Sequence, residues 1–239
     1  SVDKVVSDIK YLKEKLKIKA IFIIDDNFFG DIDRARAIFR RLAEEESGVI
    51  LDIYGMRIDT VEKLSSEDFE CMIKAGVRKV LIGIESGSQR VLDFINKGIT
   101  VAQVLKQNRR ISKYGIYVQY NFITGYPTET INELRETVNL AFRLIKDNKM
   151  AMINYFCIYV PLPGSQLYEF EKSKGISVPR TINEWIEYDR IFVTNRKDVG
   201  LNIKLNIISL FIDKKVCFFV KSLLLRFLAG LYRPVARFR

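Results

Sequence analysis

Residues 79–88 of the chain read Lys-Val-Leu-Ile-Gly-Ile-Glu-Ser-Gly-Ser. An apolar run at residues 79–82 predicts a strand, and the glycine turn that follows carries a carboxylate, Glu85, and a hydroxyl, Ser86. A strand that delivers polar groups into a turn at its C-terminal end is suited to holding a ligand there. We therefore look for the same design elsewhere in the chain.

Three further apolar stretches end in polar or turn residues. They are residues 21–24 followed by Asp25-Asp26-Asn27, residues 118–123 followed by Thr124-Gly125-Tyr126-Pro127, and residues 158–160 followed by Pro161-Leu162-Pro163-Gly164. Strands of this kind alternate with longer segments of helical period, which is the pattern of βα units and a parallel sheet. Five alternations fit a barrel or partial barrel, where polar residues at the carboxyl ends of strands line the ligand site.

The helical segments and the remaining strands follow from periodicity and capping signals. Gly98 predicts a break inside a long helical region at residues 89–114. The other predictions are a helix at 3–16, a strand at 20–24, a helix at 31–46 with Asp31 as N-cap, a strand at 49–54, a turn at 57–60, a helix at 66–74, a strand at 116–123, a helix at 130–146 and a strand at 150–160.

The composition excludes several classes of protein. The chain has 239 residues, 48% apolar and 28% charged, which is typical of a folded α/β domain with or without an appendage. It contains no histidine, so it cannot build a Ser-His-Asp triad or an ordinary zinc hydrolase site. Its cysteines, Cys71, Cys157 and Cys217, show no metal or disulfide spacing, and we expect buried thiols in a reducing cytosol.

The positive charge lies at the C-terminal end. The chain has a net charge of +10, and residues 190–239 hold 11 Lys or Arg against Asp198 and Asp213, so nine of those charges lie there. Residues 201–212 and 216–231 are strongly apolar, but the second run is too short and too charged for a transmembrane helix. The tail is interpreted as helices covering the open side of the barrel or as an interfacial pair on anionic lipid. Nucleic acid is the least favoured partner.

Four motifs occur together in a fixed order. They are Asp25-Asp26-Asn27-Phe28, the turn at residues 83–88 with Lys97-Gly98-Ile99-Thr100 after it, Gly125-Tyr126-Pro127-Thr128-Glu129-Thr130, and Tyr159-Val160-Pro161-Leu162-Pro163-Gly164-Ser165. As an ordered set they resemble the radical S-adenosylmethionine (radical SAM) superfamily, and most of all the branch whose members usually carry an upstream cobalamin-binding domain. The resemblance covers about residues 2–189.

The resemblance implies a partial TIM-like (β/α)6 barrel of the α/β class and a [4Fe-4S] cluster held by a Cys-x3-Cys-x2-Cys loop after the first strand. This sequence has no such triplet and opens on what would be the next helix. We expect a fragment without the first strand and the cluster loop, inactive by itself and with no metal ligands of its own. Residues 1–180 would form the truncated barrel and residues 181–239 a basic, apolar helical extension.

The resemblance also assigns binding roles to residues at the strand ends. Asp25 and Asp26, with Asn27 in the same turn, would face the ammonium of S-adenosylmethionine. Arg57 would pair with its carboxylate, and Glu85 would take ribose hydroxyls.

Ser86 would share the ribose with Glu85. Gly125 and Pro127 would shape the backbone close to the adenine, and Tyr159 with Pro161 would close that side.

Two positions depart from the family pattern, because Asn121 replaces a glycine and Glu129 falls one residue late. Each site residue also has a purely structural interpretation: Asp25 to Asn27 as turn and capping residues, and Arg57 and Lys97 as solvated charges.

By resemblance, the parent protein would cleave S-adenosylmethionine reductively to a 5′-deoxyadenosyl radical for hydrogen abstraction, methylation or cyclisation. The implied cofactors are S-adenosylmethionine, the [4Fe-4S] cluster and, in the parent, cobalamin, with catalytic residues unassigned. The implied partners are an electron donor such as flavodoxin or ferredoxin and a small, lipid-like or tetrapyrrole-like substrate, in the cytoplasm or at the membrane surface through residues 201–239. The alternative is a non-catalytic barrel that binds partners through its basic tail.

Overall fold

The computed structural model of the protein describes residues 1–175, 179 and 181–185. Helices and strands alternate along this part of the chain. In order they are α1 (Val2–Leu16), β1 (Ala20–Ile23), α2 (Ile32–Glu44), β2 (Ile50–Met56), α3 (Ile58–Lys63), α4 (Ser66–Lys74), β3 (Val77–Glu85), α5 (Gln89–Phe94), α6 (Val101–Ile111), a short 3-10 helix (Ser112–Tyr114), β4 (Tyr117–Thr124), α7 (Ile131–Asp147), β5 (Ala151–Ile158) and α8 (Gln166–Ser173).

The five described strands form one parallel sheet in the order β1-β2-β3-β4-β5. Each strand pairs with the next one along the chain, because an intervening helix returns the backbone to the same end of the sheet. The predicted α/β class with a partial TIM-like barrel is confirmed. All five carboxyl ends therefore lie along one edge, where the polar turns follow the strands.

Capping residues fix where the helices begin. The Asp31 side chain accepts a hydrogen bond from the backbone N–H of Arg34 at the start of α2, as predicted. At α7, Thr130 and Glu133 form a reciprocal capping box. Gly115 closes the 3-10 helix with φ +68°, a backbone conformation that glycine adopts without strain.

The two faces of the sheet differ in character. Every second residue of the central strands is fully buried against the helices, as Ile82, Tyr120 and Phe122 are. The residues between them lie on the concave face and are only half-buried, and Lys79 there forms an ion pair with Asp52 at 2.7 Å. A concave face with polar side chains is suited to a ligand site.

Two sequence-based predictions were wrong. The turn expected at residues 57–60 is instead the start of helix α3, whose first turn contains Asp59. Cys157, expected to be a packed thiol, is exposed. Tyr120 and Phe122 of β4 pair with Ile153 and Phe156 of β5, so one residue lies between the paired positions on β4 and two residues lie between them on β5. This bulge reverses the alternation and brings Cys157 to the concave face.

The C-terminal predictions fall on other parts of the chain. The apolar runs at residues 201–212 and 216–231, and most of the proposed extension from residue 181, lie outside the described residues. Within the described ranges, none of the helices has the length and apolar character needed to cross a bilayer.

Candidate functional site

A cavity of about 560 Å³ opens at the carboxyl ends of the strands. It contains side chains or backbone from the loop after β1, from β2, β3, β4 and β5, and from the α5–α6 loop. Its lining residues are Ile24, Asp25, Asp26, Asn27, Tyr54, Gly55, Met56, Arg57, Leu81, Gly83, Glu85, Lys97, Asn121, Ile123 and Cys157. The fold thus brings together six of the eleven residues singled out from the sequence.

The loop after β1 presents two carboxylates to the cavity. Asp25 Oδ1 accepts a hydrogen bond from the backbone N–H of Asn27 at 3.1 Å, which stabilises the turn, and both aspartates are exposed. Gly55 of β2 packs directly beneath this loop with φ +84°. A Cβ at that position would lie 2.8 Å from the carbonyl carbon of Asp26, so only glycine allows the loop to approach so closely.

Glu85 occupies a strained position at the end of β3. Its φ is +71°, which is uncommon for a residue with a side chain. The pairing of β3 with β4 shifts between Gly83 and Glu85, and the carboxylate folds back over Gly83. There it forms an ion pair with Lys97, with 2.7 Å between Oε1 and Nζ. The two side chains are only 15% and 19% exposed, so the pair is a fixed part of the cavity wall.

Arg57 braces the loop that carries Lys97. Its Nε donates to Asp59 Oδ1 at 3.0 Å, and its Nη2 donates to the backbone carbonyl of Lys97 at 3.1 Å. The Arg57 side chain is still 40% exposed and lines the cavity. The guanidinium therefore combines a structural role with accessibility to an anionic group.

Ser86 lies outside the cavity lining and is fully buried. Its hydroxyl lies 3.1 Å from Thr137 Oγ1 of α7 and accepts a hydrogen bond from the backbone N–H of Ser88. Thr137 Oγ1 also accepts from the backbone N–H of Gly87 at 2.9 Å. These contacts fix the turn after β3 against α7, and the ribose contact of Ser86 stays a prediction.

The remaining four predicted residues are not among those that line the cavity. Tyr159 and Tyr126 are both buried, with ring centroids 5.1 Å apart, and they pack with Val91 in a small apolar cluster. Burial raises the pKa of Tyr126, with smaller contributions from the charges of Glu85 and Glu129, so its phenol stays protonated.

Gly125 begins the loop beneath this cluster, where its backbone N–H donates to Glu129 Oε2 at 2.6 Å. Pro127 is half-buried and Pro161 is buried. Their adenine contacts stay predictions.

Several lining residues were missed from the sequence. Tyr54 and Leu81 face the cavity by simple alternation along β2 and β3, a signal that the sequence does contain. Lys97 belongs to a motif that the sequence analysis identified, but the sequence does not indicate that its ion-pair partner is Glu85. Cys157 arrives by the bulge in β5, which no sequence pattern revealed. Although Cys157 is exposed as a residue, its thiol is partly shielded from solvent; this desolvation raises the pKa of the thiol, and the charge of Glu85 raises it further, so the thiol is protonated at neutral pH.

The described residues do not supply the ligands of a [4Fe-4S] cluster. Cys71 lies on α4 and Cys157 on β5, and in the described ranges no three His, Cys, Asp or Glu side chains are grouped to hold a metal ion. The cavity does match the polar groups of S-adenosylmethionine. It offers acceptors for an ammonium, a cation for a carboxylate and a carboxylate for hydroxyl groups.

Comparison with known proteins shows the family of the chain. The sequence model of the family described as "Radical SAM superfamily" matches residues 1–141. An uncharacterized methyltransferase of Pyrococcus horikoshii is 32% identical over 191 residues, which cover 80% of this chain and 39% of the relative. The anaerobic magnesium-protoporphyrin IX monomethyl ester cyclase of Rubrivivax gelatinosus is 27% identical over 169 residues, covering 70% of this chain and 29% of the cyclase.

Solved structures show the same fold. The radical SAM methyltransferase TsrM of Kitasatospora setae, solved with cobalamin and a [4Fe-4S] cluster, matches with a TM-score of 0.60 at 18% identity. That match covers 75% of this chain and 35% of TsrM. The cobalamin-dependent radical SAM enzyme OxsB matches with a TM-score of 0.58 at 18% identity, over 76% of this chain and 32% of OxsB.

The fold and the cavity define a class of protein, the parallel α/β barrels whose polar site lies at the carboxyl ends of the strands. Within that class, the chain belongs to the radical SAM superfamily. The predicted family is confirmed, and TsrM and OxsB share its fold. The chain spans 39% or less of the curated relatives described above.

Proposed function

We propose that the chain is the S-adenosylmethionine-binding part of a radical SAM enzyme, and that the cavity at the carboxyl ends of the strands holds this molecule. The supporting observation is that residues on or after four successive strands line one cavity, although the sequence separates them by nearly a hundred positions. They are Asp25, Asp26, Asn27, Arg57, Glu85 and Asn121.

The roles follow from charge and position. Asp25 and Asp26 accept hydrogen bonds from the ammonium of the methionyl group, and Arg57 donates to its carboxylate. Glu85 accepts from the ribose. Gly125, Pro127, Tyr159 and Pro161 shape the neighbouring wall on the adenine side.

In the parent protein, one-electron cleavage of the sulfonium would release methionine and a 5′-deoxyadenosyl radical, which abstracts hydrogen from the substrate. The described residues account for binding and orientation and not for electron delivery, because they lack the three cysteine ligands of a cluster. We therefore expect the 239-residue chain alone to bind S-adenosylmethionine without cleaving it. Cobalamin belongs to the proposal for the parent only, and no described residue is assigned to it.

The substrate is proposed to be apolar in part. Ile24, which follows β1 at the cavity rim, is 86% exposed, and Phe22 of β1 is 57% exposed, so an uncovered apolar strip adjoins the site. The names of two relatives, a magnesium-protoporphyrin cyclase and a bacteriochlorophyllide methyltransferase, support a tetrapyrrole-like molecule, and a lipid-like one fits the same strip. A flavodoxin or ferredoxin would supply electrons, and residues 201–239 would give any membrane contact.

Calorimetric titration of the 239-residue chain tests the proposed site. We expect the wild type to bind S-adenosylmethionine. The double variant Asp25→Asn/Asp26→Asn should bind it about tenfold more weakly, because the acceptors that face the ammonium are then neutral amides instead of carboxylates. The same variant should keep its affinity for 5′-deoxyadenosine, which has no ammonium.

Asp33→Asn is the matched control, since that carboxylate is 91% exposed and lies on α2 away from the cavity. Absence of S-adenosylmethionine binding to the wild type, or an unchanged affinity in the double variant, contradicts the proposal.

The absence of cluster ligands among the described residues favours one second candidate, a barrel that binds without radical chemistry. Protein expressed with the coding sequence upstream of Ser1 separates the two. Iron, sulfide and 5′-deoxyadenosine formation under dithionite support the enzyme. Binding of S-adenosylmethionine with none of these supports the non-catalytic barrel.

A further inference from the structure

An arginine joins the loops that follow β3 and β4. Arg90 is the second residue of α5, and its Nη2 donates to the backbone carbonyl of Thr128, in the loop after β4, at 3.0 Å. Its Nη1 donates to Thr128 Oγ1 at 3.2 Å. The guanidinium also forms an ion pair with Glu133 of α7, to which Nε and Nη2 both donate. One side chain thus connects the loops after two strands that line the cavity.

Thr128 has an uncommon backbone conformation. The backbone N–H of Glu129 donates to the carbonyl of Tyr126 at 3.0 Å, so residues 126–129 form a β-turn with Pro127 and Thr128 at its centre. The φ of Thr128 is +70°. A turn with proline at its second residue and a positive φ at its third is of type II, which favours glycine at the third position. Because a β-branched side chain is strained there, threonine needs contacts from outside the turn to stay in this conformation.

Arg90 supplies those contacts. It donates to both the carbonyl and the hydroxyl of Thr128, and Glu133, whose side chain is only 11% exposed, holds the guanidinium in place. Glu133 is itself fixed, because its Oε2 accepts from the backbone N–H and from the hydroxyl of Thr130, each at 2.7 Å. Strain that is kept by a well-anchored side chain is a feature of ligand sites.

The same arrangement occurs a second time, away from the cavity. Arg36 donates through Nε and Nη2 to Asp68, which has the same place in the capping box of α4 as Glu133 has in that of α7. Arg36 also reaches a backbone carbonyl, that of Lys63, at 3.5 Å. Lys63 is the last residue of the helix α3, and Arg36 lies outside the cavity lining. Because this arginine holds no strained turn, it is an internal control for Arg90.

We propose that Arg90 is a positioning residue, which holds the turn at residues 126–129 in the conformation that binds the adenosyl group. The inference rests on the proposed adenosyl site, in which the loop after β4 shapes the adenine side. It adds a residue that lies outside the cavity lining and acts through Thr128. The backbone N–H of Gly125 donates to Glu129 Oε2 at 2.6 Å, so a turn that relaxes at Thr128 also shifts Gly125.

The size of the effect depends on how often the turn has its binding conformation. The apparent Kd of a ligand rises by the reciprocal of the fraction of molecules that can bind it. If the turn without Arg90 keeps that conformation in about one molecule in ten, 5′-deoxyadenosine binds about tenfold more weakly. Thr128→Gly removes the need for the arginine, because glycine adopts a positive φ without strain.

Calorimetric titration of the 239-residue chain with 5′-deoxyadenosine tests the inference. Arg90→Met should raise the Kd about tenfold, and the double variant Arg90→Met/Thr128→Gly should return it to within about twofold of the wild-type value. Arg36→Met removes an ion pair of the same kind and should leave the Kd unchanged. A purely structural role of Arg90 would not be reversed by a substitution at Thr128.

Urea unfolding shows whether each variant is folded before the titration. If Arg90→Met does not fold, Arg90→Lys takes its place, because lysine keeps a positive charge for Glu133 and lacks the planar fork that also reaches Thr128. The lysine variant should show the same loss of affinity and the same rescue by Thr128→Gly.

The outcomes separate this inference from the proposal on which it rests. A wild-type Kd without Arg90, or a loss of affinity that Thr128→Gly does not reverse, contradicts the positioning role and leaves the adenosyl site standing. An equal loss in Arg36→Met also contradicts it, because the loss would then come from a general loosening of the fold. Failure of the wild type to bind 5′-deoxyadenosine contradicts the adenosyl site itself, and the positioning role with it.

Discussion

Replacement of Gly55 by alanine should destabilise the loop that carries Asp25 and Asp26. Gly55 has φ +84°, and a Cβ there would lie 2.8 Å and 2.9 Å from the carbonyl carbon and oxygen of Asp26, and closer still to the carbonyl oxygen of Asp25. Ordinary van der Waals contact begins at 3.4 Å, so the loop must move by more than half an ångström. The movement would displace both carboxylates from the cavity.

The magnitude has two parts. Alanine in the left-handed region is disfavoured by about 1–2 kcal/mol, and the steric overlap with fixed backbone adds about 1–3 kcal/mol. Gly115→Ala isolates the first part, because Gly115 has φ +68° and nothing lies within 4 Å of its Cβ position. We expect Gly55→Ala to lower the free energy of unfolding by about 2–5 kcal/mol and Gly115→Ala by about 1–2 kcal/mol.

Urea unfolding followed by circular dichroism measures both variants under one set of conditions. With an m-value of about 2 kcal/mol per molar urea, the two midpoints should differ by about 0.5–1.5 M. Gly55→Ala should also weaken S-adenosylmethionine binding, whereas Gly115→Ala should not. Equal loss of stability in the two variants would refute the close packing of Gly55 against the β1 loop.

Three further predictions concern single side chains. Hydrogen bonds from Arg90 and Thr130 lower the pKa of Glu133 from 4.5 to about 2, so the stabilisation from the ionised Glu133 carboxylate is present above pH 4.5 and is lost as the pH falls toward 2. Between these pH values, unfolding of Glu133→Gln should take up about one proton fewer than unfolding of the wild type. Equal proton uptake by the two proteins would contradict the ion pair. Tyr120→Phe removes a buried hydrogen bond to Asn108 and should lower the free energy of unfolding by about 1 kcal/mol, whereas Tyr114→Phe, at an exposed hydroxyl, should change it little in the same urea titration. Because its pKa is raised, the Cys157 thiol should react with iodoacetamide more slowly than glutathione does at pH 7.5. Bound S-adenosylmethionine should slow this reaction several times further, since Cys157 lines the cavity, and peptide mapping by mass spectrometry measures the labelling. Labelling that does not change when S-adenosylmethionine is added would place the ligand elsewhere.

The order of elements could be predicted from the sequence because apolar period and capping are local signals. Asp31 before α2 and Thr130 before α7 each begin a helix through a contact three residues away. Helix α3 escaped prediction because it is only six residues long and its N-cap residue, Arg57, makes no side-chain capping bond. Such a helix depends on packing, which the sequence does not display.

The site could be predicted in part. Residues that follow strands directly, such as Asp25 and Glu85, reach the cavity because parallel strands end at one edge. Contacts across long sequence separations could not be predicted. The pairing of Lys97 with Glu85 requires the strained turn after β3, and the exposure of Cys157 requires a bulge in β5. Ser86 is next to Glu85 in sequence and yet faces α7, since the chain turns between them.

Hydrogen exchange of the 239-residue chain with and without S-adenosylmethionine tests the central claim most directly. If the cavity at the carboxyl ends of the strands is the adenosyl site, slower exchange should appear in peptides that contain residues 24–27, 54–57, 83–86 and 96–98 and not in α2 or α4. The smaller cavity of about 70 Å³ between those two helices provides the contrast within the same protein. Protection of α2 and α4, or no protection anywhere at saturating ligand, would contradict the claim.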